Sequence, residues 1–574
     1  MKKFLHISLA LVGMVFLLTS CNCYSKMMKK TAPGITVSSS PEFLTLKGDN
    51  AIGTITVNFP AKAFHKWGVL KVTPVLVYPG GEVVGQPTFL QGEKVKDNYK
   101  VIPYEAGGSY SQQLSFPYTP AMRLSELVLR VEAKCIKQGS KIKNFTDYNT
   151  EIPVTFGVSS LQMMADNYAK VAIAPDAFVR TTYVKESAKI MFQINKADVR
   201  AAQLNSSEIS ALQQFIKDNT GDAKKKVGDV YTQAYASPDG PLTLNDKLSA
   251  DRGKTTKKAM ETKFKKDGTP KDVFDVNAMG EDWEGFQELV QASDIPDKAL
   301  ILQVLSMYKD PQVRDKEIKN MTAAFKVLAD KILPELRRSK MTVNVQVDGL
   351  TDAELKAAVG SDINKLTVEE MLFAATLFTD NATKAKCYKA AADKYNDFRA
   401  WNNLGVVKAW EGDYAAAKAD FTKAASLNNS NPQVINNLGV VALSEGKKSE
   451  AAKFFAASTA PEAKYNKGLV DLAEGNYSSA INSLDGYNKA LAQLLNGDVA
   501  AAKAAFGSMN TWRAEYVKAV IAAKEGDAKA LVANLKSAIA KNPAAKQLAE
   551  TEVNFLPYAT VTEVVEIVII KVKR

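Results

Sequence analysis

Histidine is almost missing from this chain of 574 residues: only His6 and His65 occur, and His6 lies in an apolar leader at the N-terminus. A mature chain with one histidine cannot build a histidine-based metal site, and a Ser-His-Asp triad would have to use His65. Cysteine is scarce too, with Cys21, Cys23, Cys135 and Cys387 at spacings that imply neither a disulfide framework nor a zinc site. Blocks of like charge are lacking. The formal charge of +12 is carried by scattered lysines, a pattern of solvated helix faces rather than of a nucleic-acid groove. No acid pair of the kind a carboxylate-only glycoside hydrolase needs can be singled out. After the leader, no apolar run approaches the ~20 residues of a membrane-spanning helix. The composition therefore favours a protein that binds over one that catalyses, and no cofactor is implied.

The leader itself is specific. Lys2 and Lys3 precede an apolar stretch from Phe4 to Leu18, and Leu18-Thr19-Ser20-Cys21 closes it. This resembles a bacterial lipobox, which implies that Cys21 is acylated, for example with palmitate, and becomes the first mature residue. Several acyl chains anchor stably, since each buried methylene contributes about 0.8 kcal/mol. No acidic residue stands just after Cys21. By comparison with Bacteroidetes-type lipoproteins, that implies the periplasmic face of the outer membrane.

Residues 35–158 alternate with period two, as in Thr54-Ile55-Thr56-Val57-Asn58-Phe59, and Pro79-Gly80-Gly81 and Gly107-Gly108 supply turns. An antiparallel sandwich of immunoglobulin-like type is expected. A linker helix is expected from Ser159 to Lys170, and a helix capped by Asn205 with Glu208 follows.

Val227 to Ala236 reads as a strand and Asp246 to about Lys265 as a helix. Between them stand Ser237, Asp239, Asn245 and Ser249, with Arg252 on the helix. The spacing resembles the peptidoglycan-binding segment of OmpA-like domains, whose acidic residue and arginine clamp the diaminopimelate of the wall peptide. Such a clamp needs a carboxylate for the ammonium and a guanidinium fork for the carboxylate. Arg252 stands where the family has its arginine, whereas Ser237 replaces the aspartate and Asp239 reads as a turn residue. Weak wall binding, another ligand and a purely structural role remain open. A helical insertion is expected at about 278–338 from periodicity such as Ile301, Val304, Leu305 and Tyr308.

The last third repeats itself. Trp401-Asn402-Asn403-Leu404-Gly405 recurs as Ile435-Asn436-Asn437-Leu438-Gly439, and Glu411-Gly412-Asp413 is echoed at Gly446, Gly475, Gly497 and Gly526. These residues resemble tetratricopeptide repeats, which stack into a solenoid with a partner-binding groove. Asn402, Asn403, Asn436 and Asn437 are the candidate groove residues, suited to hydrogen-bonding an extended peptide. Val561 to Val572, dense in branched residues, reads either as a docking strand or as an atypical terminus.

The expected chain is thus a multidomain α+β protein. A signal peptide (1–20) and tether (21–34) lead into an N-terminal antiparallel β-sandwich (35–158). An OmpA-like two-layer domain (159–350), a C-terminal α-solenoid of repeats (351–550) and a tail (551–574) follow. The expected role is a lipid-anchored envelope scaffold with an unknown protein partner and a weakened peptidoglycan contact. A surface adhesin is the alternative, and a wall hydrolase a remoter one.

Overall fold

The computed structural model describes residues 34–136, 148–265 and 274–571. The leader, Cys21 and the tether up to residue 33 lie outside the described residues. The chain divides after Pro175 and after Ala391 into two compact units, the first formed by residues on either side of the second.

The first unit opens with ten strands: β1 (Thr36–Lys47), β2 (Asn50–Phe59), β3 (Gly68–Tyr78), β4 (Gly81–Val84), β5 (Thr88–Gly92), β6 (Lys100–Ile102), β7 (Gly108–Pro117), β8 (Glu126–Cys135), β9 (Tyr148–Phe156) and β10 (Val158–Ser159). One sheet has the order β10-β1-β2-β7, and the other runs β6-β5-β3-β8-β9 with β4 beside β3. Strand β2 shows why they pack. Ile55, Val57 and Phe59 are buried while Thr54, Thr56 and Asn58 face outward, the period of a half-buried strand. Leu44, Ile55 and Phe116 of one sheet share a core with Leu70, Leu76, Leu127 and Leu129 of the other. The sandwich is mixed rather than purely antiparallel, because β1 pairs β10 and β5 pairs β6 in parallel. Cys135, which sequence spacing leaves without a mate, is disulfide-bonded, and Cys387 is free and buried.

The same unit ends in helical hairpins. Five pairs follow one another: Phe398–Trp410 with Tyr414–Leu427, Pro432–Ser444 with Lys448–Ala457, Pro461–Ala473 with Tyr477–Ser483, Gly486–Leu495 with Val499–Gly507, and Trp512–Glu525 with Ala528–Lys541. Between the helices of each pair sits a glycine with positive φ: Gly412, Gly446, Gly475, Gly497 and Gly526. Only glycine takes that turn without strain. Of the two readings left open for the C-terminus, no strand forms among the described residues. Thr562–Val565 is a helical turn, and Val564 and Val568 are buried in the core of the hairpin stack.

The second unit holds β11 (Thr181–Met191), β12 (Lys225–Ala236), β13 (Phe274–Glu281) and β14 (Arg338–Asp348) in the order β11-β14-β12-β13. Helices Ser207–Asn219 and Leu242–Phe264 lay Ile209, Leu212, Ile216, Met260 and Phe264 against Val230, Phe274, Met341 and Val343. Ser206, rather than Asn205, caps the first of these, accepting from the Ile209 amide. Four helices between Trp283 and Lys331 separate β13 from β14, and they bury their own core around Phe286, Ile301, Leu305 and Leu328. Helices Asp352–Ser361, Val368–Thr376 and Asn381–Tyr395 follow, the first two opened by reciprocal capping boxes at Thr351 with Glu354 and Thr367 with Glu370. Up to Ala391 they belong to this unit.

Candidate functional site

The first helix of each hairpin carries a small residue where the second helix crosses. A Cβ built on Gly405, Gly439 or Gly468 would come within 2.7, 2.6 and 2.8 Å of Phe421, Phe455 and Leu484 respectively, so the close approach requires glycine. Two residues before each of these lies Asn403, Asn437 or Asn466, and Asn488 stands likewise two before Ala490. The fixed offset puts the four amides on equivalent positions of successive first helices.

All four grip the backbone of this chain's own linker. Asn403 accepts the Ala174 amide at 2.8 Å and donates to the Ala174 carbonyl at 2.9 Å. Asn437 does the same to Ala172 at 2.7 and 2.8 Å, and Asn466 to Lys170 at 2.7 Å for both bonds. Asn488 holds Asp166 at 2.8 and 2.7 Å. Residues 170, 172 and 174 are alternate positions of an extended strand, in which both backbone groups of one residue point the same way. A primary amide, one acceptor and two donors, is the side chain that closes this two-bond ring.

The rungs are cross-braced. Asn402 donates to the Ala172 carbonyl and to Asn403, Asn436 to the Lys170 carbonyl and to Asn437, each within 3.0 to 3.1 Å. Asn437 reaches Asn402 and Asn466 reaches Asn436, both at 2.9 Å. Asn402, Asn436, Asn437 and Asn466 are fully buried and Asn403 nearly so. A buried polar network so fully paired is rigid, and removing one member leaves several groups unsatisfied.

Side-chain identity enters at few places. Ala172 and Ala174 are each 1% exposed, which leaves no room for a longer side chain. The Lys170 ammonium sits 3.8 Å from the Tyr465 ring centroid and 3.4 Å from an Asp485 carboxylate oxygen. Towards the sandwich, Tyr487 donates to the Met164 carbonyl at 3.0 Å. Gln162 ties Gly48 of the β1–β2 turn to the Ala473 carbonyl and accepts from Tyr477 at 2.8 Å. Nearby, Glu552 is buried. Desolvation holds its carboxyl above the usual range, opposed by hydrogen bonds from Asn554 and by the charges of Lys524 and Arg123.

The linker is therefore not the helix expected from Ser159 to Lys170. Apart from a short 3-10 turn at Leu161–Met164, it is extended, because the asparagines satisfy its backbone groups and a helix would withdraw them.

In the central unit, Arg252 is fully buried. Its Nε donates to the Lys196 carbonyl at 3.0 Å, and its two terminal nitrogens donate to Tyr235 and Gln193 carbonyls at 2.9 and 3.2 Å. Burial, aided by nearby Arg337 and opposed by Asp239, brings its pKa down to about 10. Ser237 is buried, and its hydroxyl finds no partner among the described residues. Asp239 pairs with Arg337 at 3.1 Å, and Asn245 donates to the Gly240 carbonyl and to Glu281 at 3.2 and 2.8 Å. Of the four residues singled out from the sequence, Arg252 and Asn245 thus tie the helix Leu242–Phe264 to the β12 exit and its neighbours, and Asp239 is taken up by Arg337.

Sequence reasoning found Asn402, Asn403, Asn436 and Asn437 but missed Asn466 and Asn488. The signal was the small residue two places on. Among the described residues, no group of three or more His, Cys, Asp or Glu side chains is placed to hold a metal ion, and no helix is long and apolar enough to cross a membrane.

Residues 398–431 match the family model of the tetratricopeptide repeat. The chain is similar to a solved tetratricopeptide repeat protein from Parabacteroides merdae at 14% identity, covering 36% of this chain and 91% of that one with a TM-score of 0.28. It is similar also to Pseudomonas aeruginosa pilF, at 16% identity, 34% and 97% coverage and a TM-score of 0.27. A third is YrrB, described as a repeat protein with an unusual peptide-binding site, at 17% identity, 34% and 94% coverage and a TM-score of 0.21. No curated protein matches the sequence significantly.

Proposed function

We propose that this protein is a lipid-anchored, non-catalytic scaffold of a bacterial cell envelope, and that its repeat groove is the surface that handles protein partners. One observation carries the reading: four asparagines on successive first helices each close a two-bond ring on an extended backbone. That arrangement recognises polypeptide in extended form and has no use in a reaction, since an amide is neither an acid, a base nor a nucleophile at neutral pH. The tetratricopeptide match over 398–431 supports the same class of role.

The lipobox-like Leu18-Thr19-Ser20-Cys21 supplies the anchor in this reading, and the lack of acidic residues directly after Cys21 supports a periplasm-facing orientation. The OmpA-like spacing around Arg252 enters as a fold resemblance. A wall contact through Arg252 is left out of the proposal, because three backbone carbonyls already take its N–H groups.

In-cell photocrosslinking tests the scaffold role. A photoreactive amino acid placed at exposed Lys464 or Lys489, on the first helices that carry Asn466 and Asn488, is expected to give a discrete protein adduct. Cells that retain the full-length variants yet give no adduct from either position would contradict the reading.

A further inference from the structure

The groove is read above as a polypeptide-binding surface, and the inference here rests on that reading and concerns what the surface selects. Residues 165–179 belong to no helix or sheet. Their backbone is held by amide side chains, so lifting the segment out breaks no ladder and unwinds no helix. What holds it reads the backbone of alternate residues, and side chains enter at three places. Ala172 and Ala174 fit tightly, Val171 and Ile173 pack against the apolar cores of the repeats, and Lys170 is seated by the Tyr465 ring and the Asp485 carboxylate. An aromatic face beside a carboxylate selects a cation.

We propose that residues 166–174 are a resident pseudo-ligand. The trans ligand of the groove is an extended polypeptide with a basic residue two places before the first of two small residues, themselves two apart and each preceded by an apolar residue: basic–apolar–small–apolar–small, as Lys170-Val171-Ala172-Ile173-Ala174 is. Tyr465 and Asp485 set the basic preference, and the space around Ala172 and Ala174 sets the small one. The tethered segment competes at an effective concentration on the order of millimolar. A trans peptide with intrinsic micromolar affinity is therefore masked by a factor on the order of a thousand while the segment is docked.

The test uses the full chain and a fluorescein-labelled synthetic peptide with the sequence of residues 165–176, read by anisotropy. The double substitution Ala172→Asp with Ala174→Asp ejects the resident segment, and Lys170→Glu loosens it with little change in buried volume. Both proteins are expected to bind the probe at least tenfold more tightly than wild type. A probe with glutamate at its lysine position is expected to lose at least tenfold, and adding Asn403→Ala with Asn437→Ala to either protein is expected to abolish binding. Wild-type-like binding by a released protein that keeps its helix content and melting transition overturns the proposal. So does loss of the helical fold in both, since a pseudo-ligand must be separable from the fold. Probe binding without any crosslinked partner in cells would instead remove the scaffold role and leave the groove's selectivity standing.

Discussion

Asn437 and Ala172 form a closed two-bond pair: the side-chain amide accepts the Ala172 N–H at 2.7 Å and donates to its carbonyl at 2.8 Å. Both residues are buried, so each half of the pair is the other's replacement for water. Asn437→Ala strands the Ala172 N–H and the Asn402 amide oxygen, while the Ala172 carbonyl keeps its bond from Asn402; each stranded group costs about 1–3 kcal/mol, and the substitution is expected to destabilise the unit by about 2–4 kcal/mol in urea titration. Asn437→Asp is expected to be worse despite its similar shape, because a carboxylate cannot donate to the Ala172 carbonyl and is buried with charge. Equal effects from the two substitutions would count against the pairing.

Arg252 offers a second contrast. Its N–H groups serve the carbonyls of Gln193, Lys196 and Tyr235, and an ammonium on a lysine stem cannot reach three carbonyls in that fork. Arg252→Lys and Arg252→Ala are both expected to lower the stability of the central unit, the alanine by on the order of 3 kcal/mol. A diaminopimelate-containing wall peptide is expected to leave the wild-type melting temperature unchanged. A clear upward shift would restore the clamp reading.

Glu552 gives the hairpin stack a pH dependence of known sign. Its folded pKa is raised by burial while the unfolded chain ionises near the usual carboxylate value. Its contribution is therefore fully present below about pH 4.5 and is lost as pH rises through the folded value. Glu552→Gln keeps an acceptor for Asn554 and removes that loss. Melting temperatures from pH 4 to 8 are expected to fall less with rising pH in the variant, and parallel profiles would contradict the assignment.

Cys21 is testable apart from the fold. Metabolic labelling with an alkynyl fatty acid is expected to mark the wild-type protein and not Cys21→Ser. Label retained on the serine variant would remove the anchor from the account.

The repeat units were legible because Asn402-Asn403-Leu404-Gly405 and Asn436-Asn437-Leu438-Gly439 lie 34 residues apart. Asn466 and Asn488 escaped because the spacing shrinks to 29 and then 22, and tyrosine replaces the preceding asparagine in both. What the asparagines hold was not legible at all. Residues 159–170 carry no feature that forbids a helix, and the extended form of their last part is imposed by side chains about 270 to 320 positions later. Around Arg252 the motif gave spacing, but spacing cannot tell a guanidinium turned towards solvent from one turned onto carbonyls. At the C-terminus, branched residues left a docking strand and an atypical terminus equally open, and burying Val564 and Val568 at the end of the helical stack needs only a turn of helix.

The central claim is that the groove holds the chain's own linker in extended form, and residue-resolved amide hydrogen exchange measures it most directly. The amides of Lys170, Ala172 and Ala174 are bonded to asparagines, whereas those of Val171 and Ile173 have no hydrogen-bond partner among the described residues. The account predicts slow exchange at 170, 172 and 174, faster exchange at 171 and 173, and loss of this alternation in Asn403→Ala with Asn437→Ala. Uniformly rapid exchange across 166–174 in the wild-type protein would contradict it.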